Sequence, residues 1–509
     1  MAKSFEQKEA ELKKLPKTAA IIAIVVIVVF LGALFVNSNF ARRSMTAVEV
    51  DGVKFSAAEA SYFYKEAIRE YENMVYSYLG DSASVMLPQQ GISLSSQINE
   101  STGTTWEYFF SDNAYASMIE IGAIYADAMA NGYTLNAEQQ EIYDEQVADL
   151  ERQAVEVGAK SLSDFVKQFY GNTINEKDYL RLFEMRFIVG EYASETNESL
   201  VFTQSDLLDY YNENKDALDS FAFRYFIVKA EPTGEAESYA DDDIANAQAK
   251  AEGYITSIRN EKQFIEAARE YDAEAYAKDS STFRSYIGEA INAVYGEWAK
   301  DPARKTGDIA VFPVSDSDTN DRFYVLYFSG RSESDYITKG IRELVIYPDF
   351  PTELGFTDAE GVVDEEGFAE ALVAAEKQFD ETAEDRFNTL KNAASIEDAE
   401  AEIDAILEYD FLGNYATNLY ENVTMYDASF TDEALEWVYA SSRKQGDVYK
   451  SLGTDGSYRI LLHLGDKEVY RDYLADVRLR NAAYTEWQTN FASAEGKITF
   501  FYRLRKTAI

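Results

Sequence analysis

The hydrophobic pattern of the chain opens with one long apolar run and then becomes amphipathic. Residues 19–36 read AAIIAIVVIVVFLGALFV and contain no polar or charged side chain. As a helix they would extend about 27 Å, close to the roughly 30 Å of a bilayer's hydrocarbon core. The run predicts a retained transmembrane anchor at 18–37. A cleaved signal peptide, whose apolar part is roughly 7–15 residues long, is the alternative.

The charges around this run predict its orientation. Five lysines lie in residues 1–17, and Arg42 and Arg43 follow the run closely. The positive-inside rule then favours a cytoplasmic N-terminus. Residues 1–17 are therefore predicted to be a cytoplasmic tail. The rest of the chain is predicted to lie outside the cytoplasm, held at the cell membrane by a single span.

After residue 45 the pattern predicts a short hairpin and then a series of helices. TAVEVDGVKF alternates on either side of an Asp-Gly pair, which is typical of a hairpin turn. Several of the following helices begin with a capping box, in which two side chains three residues apart cap the first turn. The first residues of these boxes are Ser56, Asn136, Ser161, Asn175 and Thr203. The segment 46–220 is therefore predicted to be a mostly helical domain.

The middle of the chain carries one series of elements twice. FAFRYFIVKA opens a predicted β-α-α-α-β-β order, and IRELVIYP opens the same order again. The string E-W-x5-R-K-x-G-D-[IV] starts at Glu297 in one copy and at Glu436 in the other. Its Gly is predicted to form a turn and its Arg-Lys pair a solvated helix end. The repetition predicts an internal duplication, with modules at 221–335 and 336–465.

The C-terminal part of the chain is predicted to return to the first domain. A helix is predicted from residue 466, followed by the alternating strand KITFFYRL at 497–504. This strand needs a partner, and the early hairpin has an edge that would otherwise be exposed. The predicted fold is therefore α+β: a transmembrane helix, a mostly helical domain, two duplicated modules, and residues 466–509 packed on the helical domain.

The net charge and the scarcity of Cys and His exclude several classes of function. The 509 residues carry a formal net charge of −43, and such a surface repels phosphates, so no nucleic-acid partner is expected. The chain has no Cys and one His, His463. Disulfides, thiolate nucleophiles and His–His metal sites are thereby excluded. General acid–base chemistry would fall to Asp, Glu, Lys or Tyr.

Two acidic clusters are weak candidates for metal binding or catalysis. Asp241–Asp243 opens a predicted helix, where carboxylates interact favourably with the helix dipole. No loop of the calcium-binding type follows it. Asp364–Glu366 is interpreted as another helix start rather than as a catalytic carboxylate pair. Neither a metal nor a cofactor is expected.

Several segments resemble one family of extracytoplasmic folding factors, the SurA, PrsA and PpiD type. VEVDGVKFSAAEASYFY and FTQSDLLDYYNENKDAL are similar to the start and end of its N-terminal domain. FRYFIVKAE resembles the first strand of a parvulin-type peptidyl-prolyl isomerase, and RKTGDIAVF and SYRILL resemble its last turn and closing strand. The resemblance covers roughly 46–509. It implies a SurA-like helical chaperone domain followed by two parvulin-type modules, with membrane tethering as in PpiD.

The departures from the parvulin pattern fall on its catalytic positions, where the resemblance places two His facing each other across the sheet. The first module has Tyr225 and Tyr324 there, and the second has Glu343 and Arg459. The resemblance implies that both modules are catalytically degenerate. Tyr225, Phe226 and Tyr324 are the candidates for contacting a bound polypeptide; for the two tyrosines a place in the aromatic core or the cleft lining is the alternative. Glu343 and Arg459 form either a cross-strand ion pair or two solvated positions.

The favoured hypothesis is a membrane-anchored extracytoplasmic chaperone, or foldase, that holds unfolded segments of exported proteins in aromatic grooves. An active parvulin-type peptidyl-prolyl cis-trans isomerase is one alternative. An acidic surface protein that binds cations or wall polymers is another. His463 lies four residues past the closing catalytic position and is predicted to be structural. The sequence leaves the clients and the oligomeric state open.

Overall fold

The computed structural model of the chain describes residues 17–36, 38–233, 239–315, 320–357, 361–408, 410 and 413–505. These residues form sixteen α-helices and four antiparallel sheets. They divide into two compact units. The first unit contains the described residues up to 201 and those from 480 onward, and the second contains the described residues from 202 to 479.

The first helix, α1 (Lys17–Val36), coincides with the predicted anchor. In the part of the chain that the structure describes, no helix is both long enough and apolar enough to cross a membrane. The predicted transmembrane helix at 18–37 is therefore wrong. The predicted tail, apart from Lys17, lies outside the described residues.

The first unit is mainly helical. Its helices are α2 (Asn39–Ser44), α3 (Ala57–Leu79), α4 (Trp106–Ala130), α5 (Ala137–Glu156), α6 (Leu162–Tyr170), α7 (Glu176–Ser199) and the last part of α16 (Tyr470–Ala492). Its strands are β1 (Thr46–Val50), β2 (Val53–Ser56), β3 (Ile98–Asn99), β4 (Thr104–Thr105) and β13 (Lys497–Ile498). Ser56 and Asn136 form the predicted capping boxes at the starts of α3 and α5.

The closing strand β13 pairs with the early hairpin. Val48 lies opposite Ile498 in an antiparallel pair with β1. The Tyr115 hydroxyl of α4 donates to the carbonyl of Gly496 at 2.8 Å. The strand is shorter than predicted, because Phe500–Arg505 forms a 3-10 helix. The edge of β1 is thus covered by a segment of the same unit.

The second unit holds two sheets and the helices around them. Its helices are α8 (Gln204–Glu213), α9 (Lys215–Leu218), α10 (Asp241–Ser257), α11 (Glu261–Tyr271), α12 (Ala293–Lys300), α13 (Glu365–Lys391), α14 (Ile396–Glu408), α15 (Asp432–Val438) and the first part of α16. Its strands are β5 (Ser220–Lys229), β6 (Phe283–Ile287), β7 (Ile309–Pro313), β8 (Arg322–Ser332), β9 (Ile337–Ile346), β10 (Tyr415–Val423), β11 (Val448–Leu452) and β12 (Tyr458–Val469).

The two sheets repeat one topology. Their strand orders are β6-β5-β8-β7 in the first module (220–332) and β10-β9-β12-β11 in the second module (337–469). The predicted β-α-α-α-β-β order is wrong in one respect, since each module has an additional edge strand, β6 or β10, before its last helix. All five residues of β6 are half-buried, and β10 has only one buried residue. Their sequences, FRSYI and YATNLYENV, also lack an apolar run like those of the central strands.

Helices cover both faces of each sheet. In the first module α10 and α11 pack on one face, and the short helix α12 packs on the other. In the second module α13 and α14 cover one face, and the short helix α15 covers the other. We call the face under α12 or α15 the short-helix face.

The E-W-x5-R-K-x-G-D-[IV] string builds a turn that ties a helix to the sheet. In the first module the Arg304 guanidinium carbon lies 4.3 Å from the ring centre of Trp298, and its Nη1 donates to Asp308 at 3.0 Å. Gly307 has φ +97°, which favours glycine, and its N–H donates to the Phe328 carbonyl at 2.9 Å. Because Arg304 binds the Trp and the Asp, it is not the solvated helix end that the sequence predicts.

The second copy of the string repeats these contacts. The Arg443 guanidinium carbon lies 4.8 Å from the Trp437 ring centre, and its Nη1 donates to Asp447 at 3.2 Å. Gly446 has φ +89°, and its N–H donates to the His463 carbonyl at 2.8 Å. The duplicated string is therefore a structural element, and His463 occupies the place of Phe328.

Candidate functional site

In the first module the two candidate tyrosines lie diagonally across the central strand pair. Tyr225 of β5 is opposite Leu326, and Tyr324 of β8 is opposite Ile227. Their ring centres are 5.3 Å apart, and the rings meet edge to face at 77°. Both side chains lie on the short-helix face, where they are half-buried. Each ring therefore packs at the edge of the hydrophobic core and leaves part of its surface accessible to a ligand.

A third tyrosine and an arginine complete this aromatic group. Tyr295 of α12 is buried, and its ring centre lies 5.7 Å from that of Tyr324. The Arg284 guanidinium lies over the Tyr225 ring at 5.1 Å. Burial, followed by the neighbouring Tyr225, raises the pKa of Tyr324. Burial likewise raises the pKa of Tyr295 above its usual value. These two phenols stay neutral at physiological pH, so they can donate hydrogen bonds but cannot act as bases.

Phe226 lies on the opposite face of β5. It is fully buried, and its ring centre is 5.2 Å from that of Phe264 and 5.0 Å from that of Tyr254. Because successive residues of a strand point to opposite faces, a polypeptide bound against Tyr225 would not reach it. The predicted contact of Phe226 with a bound polypeptide is therefore corrected: Phe226 is a core residue under α10 and α11.

In the second module the corresponding diagonal positions hold an ion pair. Glu343 of β9 lies opposite Leu461, and Arg459 of β12 lies opposite Val345. Arg459 Nη1 donates to Glu343 Oε1 at 3.1 Å. Glu343 is only 1% exposed. Of the two sequence alternatives, the ion pair is the one observed.

Further donors surround the Glu343 carboxylate. Asn418 Nδ2 and the Tyr420 hydroxyl, both from β10, donate to its Oε2 at 2.7 and 3.2 Å. Arg459 Nη2 also donates to Asp455 at 3.2 Å. Burial, followed by the charge of Glu343, raises the pKa of Tyr420 to about 12. Since both carboxylate oxygens already accept hydrogen bonds, Glu343 holds the site together and is not a free general base.

Two adjoining cavities open in the second unit. The smaller, of about 260 Å³, has Glu343 and Arg459 in its lining. The larger, of about 610 Å³, lies between β6 of the first module and residues 425–439 of the second. Ala428 and Phe430 line both. The short-helix face of the second module is thus continuous with a cleft that reaches the first.

His463 is buried beside the repeated turn. It is 2% exposed, and its Nδ1 accepts a hydrogen bond from the Gly465 N–H at 3.1 Å. Burial, followed by the positive charge of Lys339, lowers its pKa from 6.5. Protonation at Nδ1 would remove the acceptor. His463 is therefore a neutral structural residue, as the sequence predicts.

Lowering the pH is expected to destabilise the second module through His463. In the unfolded chain its pKa is about 6.5, and in the folded chain it is lower. The unfolded state therefore takes up the proton first, and the free energy of unfolding falls as the pH drops below about 6.5. Amide hydrogen exchange of β12 between about pH 7.5 and 5.5 would measure this dependence. His463→Phe, which copies Phe328 of the first module, should remove it. An unchanged pH dependence in this variant would assign the effect to other groups.

The acidic clusters serve as helix starts. Asp243 Oδ2 accepts from the Ala240 N–H at 2.9 Å, and its Oδ1 accepts from the Thr233 hydroxyl. Asp364 accepts from the Gly367 N–H at 3.1 Å. Within the described ranges, no group of three or more His, Asp or Glu side chains is arranged to hold a metal ion.

Sequence reasoning missed the partners of the candidate residues. Asn418 and Tyr420 lie on β10, a strand that the hydrophobic pattern does not predict. Tyr295 lies just before the repeated string. In a chain with many tyrosines, the sequence gave no reason to single it out as a neighbour of Tyr324. In YATNLYENV apolar and polar residues come in pairs and do not alternate, so the sequence gives no strand signal for β10, which lies at a sheet edge.

Comparison with known proteins gives similarity only at the level of solved structures, and it is weak. No family model matches the chain, and no curated protein matches it. Among solved structures, it is similar to the foldase protein PrsA from Streptococcus pneumoniae str. Canada MDR_19A. The TM-score is 0.20 and the sequence identity 10%, over 69% of this chain and 97% of that one. A TM-score this low supports no conclusion about activity.

Proposed function

We propose that this chain is a foldase-class chaperone that binds unfolded segments of other polypeptides. In this proposal the two parvulin-like modules are binding surfaces and do not catalyse rapid prolyl isomerisation. The buried Glu343–Arg459 pair carries the proposal. It stands where the resemblance places two catalytic histidines, and it lines a cavity of about 260 Å³.

The chemistry of the four positions argues against efficient isomerisation. Rotation about the peptide C–N bond has a barrier of roughly 18–20 kcal/mol. Tyr225 and Tyr324 pack on each other, and the carboxylate of Glu343 is held by three donors. Neither module has an imidazole at these positions. An apolar pocket could still favour the twisted amide slightly, so only slow residual turnover is expected.

The surface chemistry supports reversible binding of apolar segments. Half-exposed tyrosines offer a large contact area with little side-chain entropy to lose, and their hydroxyls can bind backbone groups. A net charge of −43 keeps the chain and its complexes apart in solution. Binding has to be weak, because a tight binder of the unfolded state would oppose folding.

The first test compares binding to one client in two states. The full chain is expected to bind a reduced and alkylated model protein, which stays unfolded, at least about tenfold more tightly than the same protein in its native form. It should also delay aggregation of that protein, measured by light scattering. Equal binding to both states would rule out a chaperone. Binding that instead requires calcium would favour the acidic surface protein.

A refolding assay limited by prolyl isomerisation tests the second half of the proposal. Such a phase takes tens to hundreds of seconds without a catalyst, and catalytic amounts of the chain should leave its rate nearly unchanged. Tyr225→Ala provides the control. A strong acceleration that disappears in this variant would identify an active isomerase.

A further inference from the structure

The larger cavity lies along an unpaired sheet edge. Strand β6 pairs with β5 on one side, and no strand of the described chain pairs with its other side. Phe283, Arg284, Ser285 and Tyr286 all line the cavity. Because neighbouring side chains point to opposite faces, four consecutive residues can line one cavity only where the backbone edge itself faces it. The cleft therefore exposes main-chain hydrogen-bonding groups.

The opposite wall of the cleft is apolar and comes from the second module. Met425 and Tyr426 are 38% and 48% exposed. Tyr426 packs on Phe283 with ring centres 5.3 Å apart, and Phe430 and Leu435 continue the lining. A flexible thioether and aromatic rings can adapt to side chains of different shape. This wall suits apolar residues of varied sequence.

The rim of the cleft is acidic. Asp427, Asp432 and Glu436 line it, with Arg284 as the basic residue. Arg284 is engaged by the Tyr225 ring and by the Phe283 carbonyl, to which Nη1 donates at 2.5 Å. Asp432 and Glu436 are exposed, and neither has an ion-pair or hydrogen-bond partner within the described chain. Their charge is available to a cationic ligand.

We propose that this cleft binds an extended polypeptide segment that adds to the edge of β6 and carries apolar residues next to Lys or Arg. Main-chain hydrogen bonds to an edge strand give affinity for any extended chain, and side-chain pockets select the sequence. The apolar residues face Met425 and Tyr426, and the cationic residues face Asp432 and Glu436. This inference rests on the proposed function and specifies its substrate class.

Peptides test the chemistry of the cleft with the full chain. The probe is a fluorescent peptide of alternating Val and Lys, compared with its Val and Glu counterpart and with a form N-methylated at alternate residues. We expect the Lys peptide to bind about tenfold more tightly than either, because the Glu peptide is repelled and the methylated one cannot pair with a strand. Equal affinities for the Lys and Glu peptides, or an affinity insensitive to N-methylation, would overturn the proposal.

Variants of the chain locate the site. Ala428 is exposed, so Ala428→Trp should fill the cleft without disturbing the core and weaken the Lys peptide about tenfold. The double change Asp432→Asn/Glu436→Gln should weaken it about three- to tenfold and reduce its salt dependence. Glu297→Gln is the matched control, because Glu297 is the exposed equivalent of Glu436 in the first module and does not line the cleft. It should leave the affinity unchanged.

The outcomes separate this inference from the proposed function. If the chain binds the unfolded model protein but Ala428→Trp binds the Lys peptide as well as before, the cleft is not the site and the chaperone proposal stands. If the chain binds no unfolded protein, both proposals fail. A dimer that is lost in Ala428→Trp, together with unchanged peptide binding, would show that a second copy of the chain occupies the cleft.

Discussion

Replacing Arg459 with leucine is expected to lower the free energy of unfolding of the second module by about 3 kcal/mol. The change removes the guanidinium 3.1 Å from Glu343, a residue that is 1% exposed. The carboxylate would keep only the neutral donors of Asn418 and Tyr420. Removing one partner of a buried ion pair lowers the free energy of unfolding by roughly 3–5 kcal/mol. We expect the lower value here because the Arg459 side chain is 35% exposed. Hydrogen exchange of β9 and β12 amides in the intact chain would measure the loss.

The double change Glu343→Tyr/Arg459→Tyr is the matched control. It installs the pair that the first module carries at the same diagonal positions, and it removes both charges together. Replacing a buried ion pair by packed side chains is often close to neutral, so most of the lost stability should return. A neutral effect of Arg459→Leu alone would contradict the account of the ion pair. A double variant as unstable as the single one would show that packing, not charge, causes the loss.

Gly288→Ala is expected to destabilise the first module by at least about 3 kcal/mol, since overpacking costs roughly 1–3 kcal/mol and a hydrogen bond would be strained as well. Gly288 directly follows β6, and its N–H donates to the Asp219 carbonyl at 3.0 Å. A Cβ there would overlap the carbonyl oxygen of Asp216 and lie 3.0 Å from the Phe221 ring. Both neighbours are backbone or core and cannot move aside cheaply. Hydrogen exchange of β5 and β6 would report the change.

Gly296→Ala in α12 provides the control for this position. The nearest atoms to an added Cβ there are side-chain carbons at 3.8 and 3.9 Å. Because glycine lowers the stability of a helix interior by roughly 0.5–1 kcal/mol relative to alanine, this variant should be neutral or slightly more stable. If the two glycine variants behaved alike, the close approach of Gly288 to Asp216 would be contradicted.

The repeated string and the strands beside it were predictable because their signals are local. Trp, Arg, Gly and Asp recur at fixed spacing, and each has one structural task in the turn. The central strands were recognised by their apolar runs, and the resemblance to parvulin-type modules gave the correspondence of Tyr225 to Glu343 and of Tyr324 to Arg459. The hydrogen-bonded registers of the two sheets reproduce that relation.

The rest of the site depends on contacts between distant segments. Strands β6 and β10 are stabilised by pairing with β5 and β9, not by an apolar face of their own. Without β10, the sequence could not show that Asn418 and Tyr420 donate to Glu343. The sequence also could not show which of Tyr225 and Phe226 is accessible to a ligand. The two side chains point to opposite faces of β5, and their accessibility depends on which helices cover each face.

The pairing of β1 with β13 has a consequence for synthesis. The first unit is closed by residues that follow an insertion extending from 202 to 479. At about 5–20 residues per second, a ribosome takes roughly 14–56 s to add that insertion. During this interval the edge of β1 and the surface of α4 lack their final partner. The chain that we propose as a chaperone therefore passes through a long incomplete stage itself, in which the second unit can fold before the first is finished.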